Sequence, residues 1–256
     1  MITLLTSANK NFSDFINFSK ELYKKYDYKF EIYDLGGLNI GKKFIVDNPL
    51  FHSKGYYCEI KPGWNSTALH KPSVIMDCIE NTNKGDIVVY LDSDAIVINE
   101  IDEINNLDFD IGITIRSPNE NMYWYINAGV VFLRQNERTK EFIRYWKNKT
   151  SELNNDQLAL NNVINPNNIL LIKDMTYDSS ELNCIIKNLK IRCFSTWEYN
   201  FYYFANIDMN KLENNEYPNI KILHFKTDKR KYFNKFVKNN KSIFCWMDNS
   251  NRFLTL

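Results

Sequence analysis

The chain has 256 residues, 44% hydrophobic and 15% aromatic, a makeup that supports a sizeable core and excludes a disordered chain. Its 32 Lys and Arg nearly cancel 31 Asp and Glu, so no global field draws nucleic acid and any basic function must be local. The start, MITLLTSANKNF, lacks the basic residues, long apolar stretch and cleavage site of a secretory signal, and no apolar run approaches the ~20 residues that span a bilayer. Five cysteines (Cys58, Cys78, Cys184, Cys193, Cys245) are odd in number and form no CxxC pair, as expected of reduced thiols in a cytoplasmic protein. Asn-x-Ser/Thr sequons at Asn11, Asn17, Asn65 and Asn148 are the chance product of an Asn-rich chain.

ITLLTSA reads as a first strand, and NFSDFINFSKELYKKY as an amphipathic helix capped by Asn or Ser. YKFEIYDLGG predicts a second strand ending in a Gly-Gly turn. HKPSVIMDCIENTN predicts a helix with Pro72 in its first turn, and GDIVVYLD a buried strand. Strands and helices thus alternate through residues 1–115, the signature of a mostly parallel sheet covered on both faces. The rest opens with a strand at DIGITIR, then an apolar run, INAGVVFLR. A helix from about Thr139 to Trp146 follows, and another opens near Asn155. From Thr196 the chain is aromatic and basic. With neither internal repeat nor Pro/Gly/Ser linker, one α/β domain with two functional halves is the economical expectation.

GDIVVYLDSDAIVIN places Asp92, Ser93 and Asp94 between two apolar stretches, just past a predicted strand. Ligands of open α/β sheets collect at the carboxyl ends of strands. In extended chain, residues i and i+2 point the same way, so both carboxylates can face one site. Two adjacent anions repel unless a proton or cation neutralises them, and carboxylate oxygens suit Mg²⁺ or Mn²⁺. A solvated turn with cap-forming Asp residues is the plain alternative, and the apolar flanks weigh against it.

VVYLDSDAIV resembles the DxD motif of nucleotide-sugar-dependent glycosyltransferases with the GT-A fold. KPSVIMDCIENTNKGDIVVYLDSDAIV is similar to the helix-strand-DxD block of the retaining members, which include glycogenin-like and lipopolysaccharide galactosyltransferase families. NAGVVFLRQNERTKEFIRYWKNKTSELNNDQLALNNVI is similar to their Asn-Ala/Ser-Gly-Val block followed by Asp-Gln and an Asn-rich helix. ILHFKTDKRK resembles their late His-x-x-Gly-x-Lys segment, with Thr227 where these enzymes often carry Gly. The four blocks fall in the family's order across residues 70–231.

The resemblance implies a single GT-A, Rossmann-like α/β domain with a mostly parallel central sheet flanked by helices. Residues 1–115 would form the nucleotide-sugar-binding half; residues 116–256 would form the sugar and acceptor half, with a basic C-terminal segment. It implies a metal-dependent retaining transferase moving a sugar from a nucleotide diphosphate sugar, with UDP-sugar the expected donor, to a glycan or other hydroxyl acceptor. Asp92, Asp94 and His224 would ligate Mn²⁺ or Mg²⁺. Thr6, Ala8 and Asn9 would hold the nucleoside, and Lys71 would sit near the base or phosphates, or equally in solvent. Ser93, Asn127 and Gly129 would complete the donor site, Gly129 by letting backbone approach a ligand. Lys226 and Lys229 would contact the diphosphate. Asp156 would meet donor-sugar hydroxyls and Gln157 the anomeric carbon, with a simple helix cap as the alternative for Asp156. His52 and His70 are read as ordinary core or surface imidazoles. Trp197 and Asn200 are acceptor-side candidates, and the aromatic residues Tyr232, Phe233 and Phe236 admit a weak membrane-surface contact. Nucleotidyl or phosphoryl transfer also uses paired aspartates and a metal, but no glycine-rich phosphate loop is present. A catalytically silent carbohydrate- or nucleotide-binding module is the reading from a different class.

Overall fold

The computed structural model describes residues 1–43, 70–115, 126–202, 211, 217–226 and 230–239. His52, Cys58, Thr227, Lys229 and Cys245 lie outside the described residues. Strands β1 (Ile2–Asn9), β2 (Lys29–Gly36), β3 (Lys42–Lys43) and β4 (Ile87–Leu91) share one sheet with four later strands. A short strand, β5 (Ala95–Val97), lies apart from it. The later four are β6 (Ile111–Ile115), β7 (Ile126–Arg134), β8 (Thr176–Asp178) and β9 (Lys190–Ser195), in the order β3-β2-β1-β4-β7-β6-β9-β8. The pairs β3-β2, β2-β1, β1-β4 and β6-β9 are parallel, and β4-β7, β7-β6 and β9-β8 are antiparallel. With four of seven pairs parallel, the sheet is of the mostly parallel kind expected.

Strands that read as unbroken apolar runs do so because both sheet faces are covered. In β4, Val88 and Tyr90 enter one buried layer, and Ile87, Val89 and Leu91 the opposite one. The first layer is roofed by helices α2 (Lys71–Glu80), α3 (Glu137–Leu153) and α4 (Asp156–Ile164), through Val74, Ile75, Phe142, Trp146 and Leu160. The second packs under helix α1 (Ser13–Leu22) and a two-stranded antiparallel ribbon of β5 and β10 (Ile222–His224). A four-residue helix, α5 (Thr196–Tyr199), and a basic one, α6 (Arg230–Asn239), complete the described elements.

Asn136 accepts from the Thr139 amide and caps α3, so the helix begins at Glu137, earlier than its apolar periodicity predicts. Asn9, not a residue at the start of α1, supplies the N-terminal cap in that region: it accepts from the Asn11 amide over a short 3₁₀ turn. The N-cap position of α1 is Phe12, without a side-chain bond.

The aromatic residues of α6 face inward. Phe233 stacks on Phe15 and meets Phe18 edge-on, while Phe236 packs on Phe18 and Phe225. The membrane-surface expectation for Phe233 and Phe236 is therefore corrected: both are buried against α1. Among the described residues, no helix is long and apolar enough to cross a membrane.

The far edge is tied by Asp110, 3% exposed, which accepts from Arg138 Nε and Nη2, Asn136 Nδ2 and the Lys190 amide. Burial alone would raise its carboxyl, but the bonds from Arg138, Lys190 and Asn136 outweigh it and hold the group below the ordinary carboxylate range. A depressed pKa stabilises the fold above the unfolded-state value and loses that contribution as pH falls. Asp110→Asn should therefore cost ~1–3 kcal/mol in urea unfolding at neutral pH. The gap to wild type should close as pH drops below about 4; a gap that persists unchanged in acid would refute the assignment.

Candidate active site

The chain leaves the large sheet at Asp92. A tight turn, closed by the Ala95 amide donating to the Asp92 carbonyl, sends it into β5. The pairing of the two carboxylates thus arises from a turn and not from extended i, i+2 geometry. Two further bonds stitch this turn in place: the Asp92 amide donates to the Gly129 carbonyl of β7, and the Phe225 amide donates to the Asp94 carbonyl. β10 sets His224 opposite Ala95. His224 Nε2 lies 3.2 Å from Asp94 Oδ1 and 3.7 Å from Asp92 Oδ2. One ligand atom from each of Asp92, Asp94 and His224 falls within 4.8 Å of the others. Two carboxylates and one imidazole nitrogen fit a divalent cation with oxygen and nitrogen ligands, Mn²⁺ more readily than Mg²⁺.

Gly129 makes room for this cluster. A Cβ there would sit 2.3 Å from His224 Cε1 and 2.8 Å from Nδ1. The missing side chain is the space the imidazole occupies. Asn127 Oδ1 accepts from the Gly129 amide at 2.8 Å, which fixes the orientation of the side-chain amide. Its Nδ2 is left buried without a hydrogen-bond partner, as is Thr6 Oγ1 near the carboxyl end of β1. Each orphan costs ~1–3 kcal/mol unless a ligand satisfies it.

Lys71 is neither exposed nor turned to open solvent. Its Nζ donates to the Ala128 carbonyl at 2.8 Å and forms ion pairs with Asp156 Oδ2 at 2.7 Å and Asp92 Oδ1 at 2.9 Å. The ammonium lies above the Tyr90 ring at 5.2 Å. Burial alone would lower its pKa, but Asp156 and Asp92 outweigh burial and raise it, so the ammonium stays charged. Asp156 is not the cap of α4. Asn155 takes that role, accepting from the Leu158 amide, and so releases the Asp156 carboxylate for Lys71. Gln157 follows, half-buried, on the first turn of α4.

Arg230 and Asn200 also belong here. Arg230 donates from Nε at 2.9 Å to Asp94 Oδ2 and pairs with the same oxygen through Nη2 at 2.8 Å, with its guanidinium over the Phe12 ring. Burial would raise the Asp94 carboxyl, yet the neighbouring His224 and Arg230 push it down to about 2. Asn200 is fully buried and holds His224 Nδ1 at 2.8 Å, so it is no acceptor contact. No sequence signal marks either, because each acts through a residue distant in sequence. Trp197, on the outer side of α5, remains 45% exposed and keeps a place on the surface.

Of the remaining candidates, Ala8 packs on Ile16, Ile32 and Leu38, and Asn9 spends its side-chain oxygen on the 3₁₀ cap. Ser93 lies half-buried in the Asp92–Asp94 turn. Lys226 is half-buried directly after Phe225. Cys78, Cys184 and Cys193 are free thiols; burial pushes the Cys78 thiol up to about 11 and Cys193 to about 12, so neither is a nucleophile. Burial drives the His70 imidazole down to about 4, in keeping with a neutral core residue.

Lys71→Met should leave the buried Asp156 carboxylate without its cation and beside a second carboxylate, Asp92. Removing one partner of a buried ionic group costs ~3–5 kcal/mol. Adding Asp156→Asn to that variant should restore part of the loss. Denaturant unfolding of the single and double variants measures this, and equal stability of Lys71→Met and wild type would refute the ionic hub.

Residues 70–235, which contain the helix, the DxD turn, β7, α4 and His224, match the nucleotide-diphospho-sugar transferase family. No curated protein sequence matches the chain. Among solved structures, the glycosyltransferase that acts in glycosylation of the major capsid of PBCV-1 aligns with a TM-score of 0.54 at 14% identity, covering 95% of this chain and 98% of that one. The galactosyltransferase LgtC, solved with donor and acceptor sugar analogs, aligns at 0.51 and 16% identity, covering 94% and 95%. The glycosyltransferase GlyE of Streptococcus pneumoniae TIGR4 aligns at 0.51 and 14% identity, covering 100% and 66%. At such identities the likeness concerns the fold, and the fold agrees with the family match: the chain is a GT-A-type glycosyltransferase and belongs to the nucleotide-diphospho-sugar transferase family.

Proposed function

We propose that the protein transfers a sugar from a nucleotide diphosphate sugar, with UDP-sugar the first candidate, to a hydroxyl of a glycan or other acceptor, retaining the anomeric configuration. The observation that carries this reading is the convergence of Asp92, Asp94 and His224 beside the Lys71–Asp156 pair, at the carboxyl ends of β1 and β4. A divalent cation bound there would neutralise the diphosphate as it departs from the anomeric carbon.

The chain's own residues have separable tasks. Thr6 offers an unpaired hydroxyl to the nucleoside, with the backbone of Ala8 and Asn9 beside it. Lys226 and Lys229 neutralise phosphate oxygens. Asn127 offers its unpaired Nδ2 to a sugar hydroxyl or phosphate oxygen. Lys71 holds Asp156 in one rotamer, from which the carboxylate accepts from donor-sugar hydroxyls. Gln157 turns its amide carbonyl toward positive charge developing at the anomeric carbon. Its amide does not accept a proton near neutral pH, so it cannot act as the general base that inversion requires. The acceptor proton passes to the departing diphosphate on the same face. Residues 1–115 supply mainly the nucleotide side of this site and residues 116–256 the sugar side. The donor and acceptor sugar analogs bound to LgtC support an acceptor that is itself a sugar, and a cytoplasmic setting, where nucleotide sugars are available, fits this reading.

The deciding experiment incubates the protein with a panel of nucleotide sugars and Mn²⁺ and scores free nucleotide diphosphate. One donor should be hydrolysed slowly without acceptor, and excess chelator should abolish the release. Undiminished turnover in chelator would remove the cation from the mechanism, while tight binding without turnover would leave a silent binding module.

Stereochemistry tests Gln157. An α-linked donor should give an α-linked product, read from the anomeric proton by NMR. Gln157→Ala should lower kcat by roughly 10-fold or more with donor Kd nearly unchanged, as for an interaction made mainly in the transition state. A β-linked product would overturn retention.

A further inference from the structure

His224 can ligate a cation through Nε2 only if its ring is held in the right plane with the proton on the other nitrogen. A chain of buried polar groups does both. Asn200 Oδ1 lies 2.8 Å from His224 Nδ1, and Asn200 Nδ2 donates to Thr114 Oγ1 at 2.7 Å. Thr114 Oγ1 in turn donates to the Asn127 carbonyl at 3.4 Å. Asn200 and Thr114 are both 0% exposed, so no water competes for these bonds.

The chain has a direction. The Asn127 carbonyl can only accept, so Thr114 spends its one proton there and must accept from Asn200. Asn200 then presents Oδ1, an acceptor, to the imidazole. An acceptor at that point requires a proton on Nδ1. Nε2 is left facing Asp94 Oδ1 and Asp92 Oδ2, an arrangement that favours a cation between them. Gly129 leaves room beside the same edge of the ring, where a Cβ would lie 2.3 Å from Cε1 and 2.8 Å from Nδ1.

We propose that Asn200, anchored by Thr114, is a positioning residue that fixes the Nδ1–H form of His224 and aims its Nε2 lone pair into the Asp92–Asp94 site. The inference rests on the metal reading above and adds the determinant of the nitrogen ligand. Thr114 lies on β6 and Asn200 directly follows α5, so the ligand is set by a part of the sheet remote in sequence from the DxD turn.

The test uses the full-length protein with Mn²⁺ as probe. Free Mn²⁺ is titrated by EPR to obtain Kd, and pulsed EPR records the modulation from directly coordinated imidazole nitrogen. Wild type should bind Mn²⁺ with that nitrogen signal. Asn200→Leu, close in size but without hydrogen bonds, should weaken Mn²⁺ binding by about 10–100-fold and lose the nitrogen signal. Asn200→Asp keeps an oxygen for Nδ1–H and should keep the signal, which a merely space-filling role would not predict. If the Leu variant does not fold, Thr114→Val decides, with a several-fold weaker Kd expected and an unchanged Kd overturning the proposal. Wild-type binding with the nitrogen signal, undisturbed in Asn200→Leu, would overturn this inference alone. Absence of Mn²⁺ binding in wild type would overturn the metal reading and the inference with it.

Discussion

The ammonium of Lys71 sits where four elements meet: the start of α2, the end of β4, the first residue of α4 and the backbone of β7. Stripping water from an ion costs several kcal/mol even after relaxation, so such a hub adds little net stability over a well-packed apolar core. What it adds is geometry. One ammonium and its three oxygen partners fit one arrangement of those elements, and a small displacement of α4 or of the DxD turn would strand a charge. Asp92 is shared, with one oxygen turned to Lys71 and the other to His224, so the ionic hub and the Asp-Asp-His cluster cannot be adjusted independently.

Around that hub the two faces of the sheet divide the work. The helices α2, α3 and α4 cover one face and bring Lys71 and Asp156 to its rim. On the other face, the β5-β10 ribbon brings His224, and α6 brings Arg230, held down by aromatic packing of Phe233 and Phe236 on α1. The DxD turn carries the chain from β4 of the large sheet into β5 of the ribbon. Two carboxylates interrupt an otherwise apolar run at that point because there the backbone changes layer and both carboxylates meet cationic or ligating partners.

Local patterns in the sequence carry much of this. The buried strand of IVVYL, the helix after His70 and the Asp-Gln helix are legible because periodicity and caps are properties of neighbours. The Asp92, Asp94 and His224 grouping is legible through resemblance, and the side chains do converge. The partners of those groups are less legible. Lys71 reads as a residue that can equally be exposed, since nothing nearby in sequence reveals that two carboxylates, 21 and 85 positions on, will enclose it. Arg230 hides within a cationic run whose members look alike until one of them is seen to meet Asp94. Asn200 resembles any polar residue in an aromatic stretch, and its role depends on Thr114, which lies in a different strand. Asp156 reads as a cap because the better cap, Asn155, has the same preference one residue earlier.

The separation in sequence between Asp94 and its partners also has a meaning in time. A chain made from its N-terminus exposes Asp94 long before His224 and Arg230 exist, and they follow 130 and 136 residues later. Until they arrive, a carboxylate destined to be 5% exposed has no counter-charge among its final partners, so its burial must wait. Docking of β10 and α6 is then at once a late step of assembly and the step that completes the ligand cluster. A partly folded molecule, with its large sheet formed but that ribbon unpaired, would own a DxD turn and yet lack the three-residue site, so competence for a cation arrives together with the finished fold.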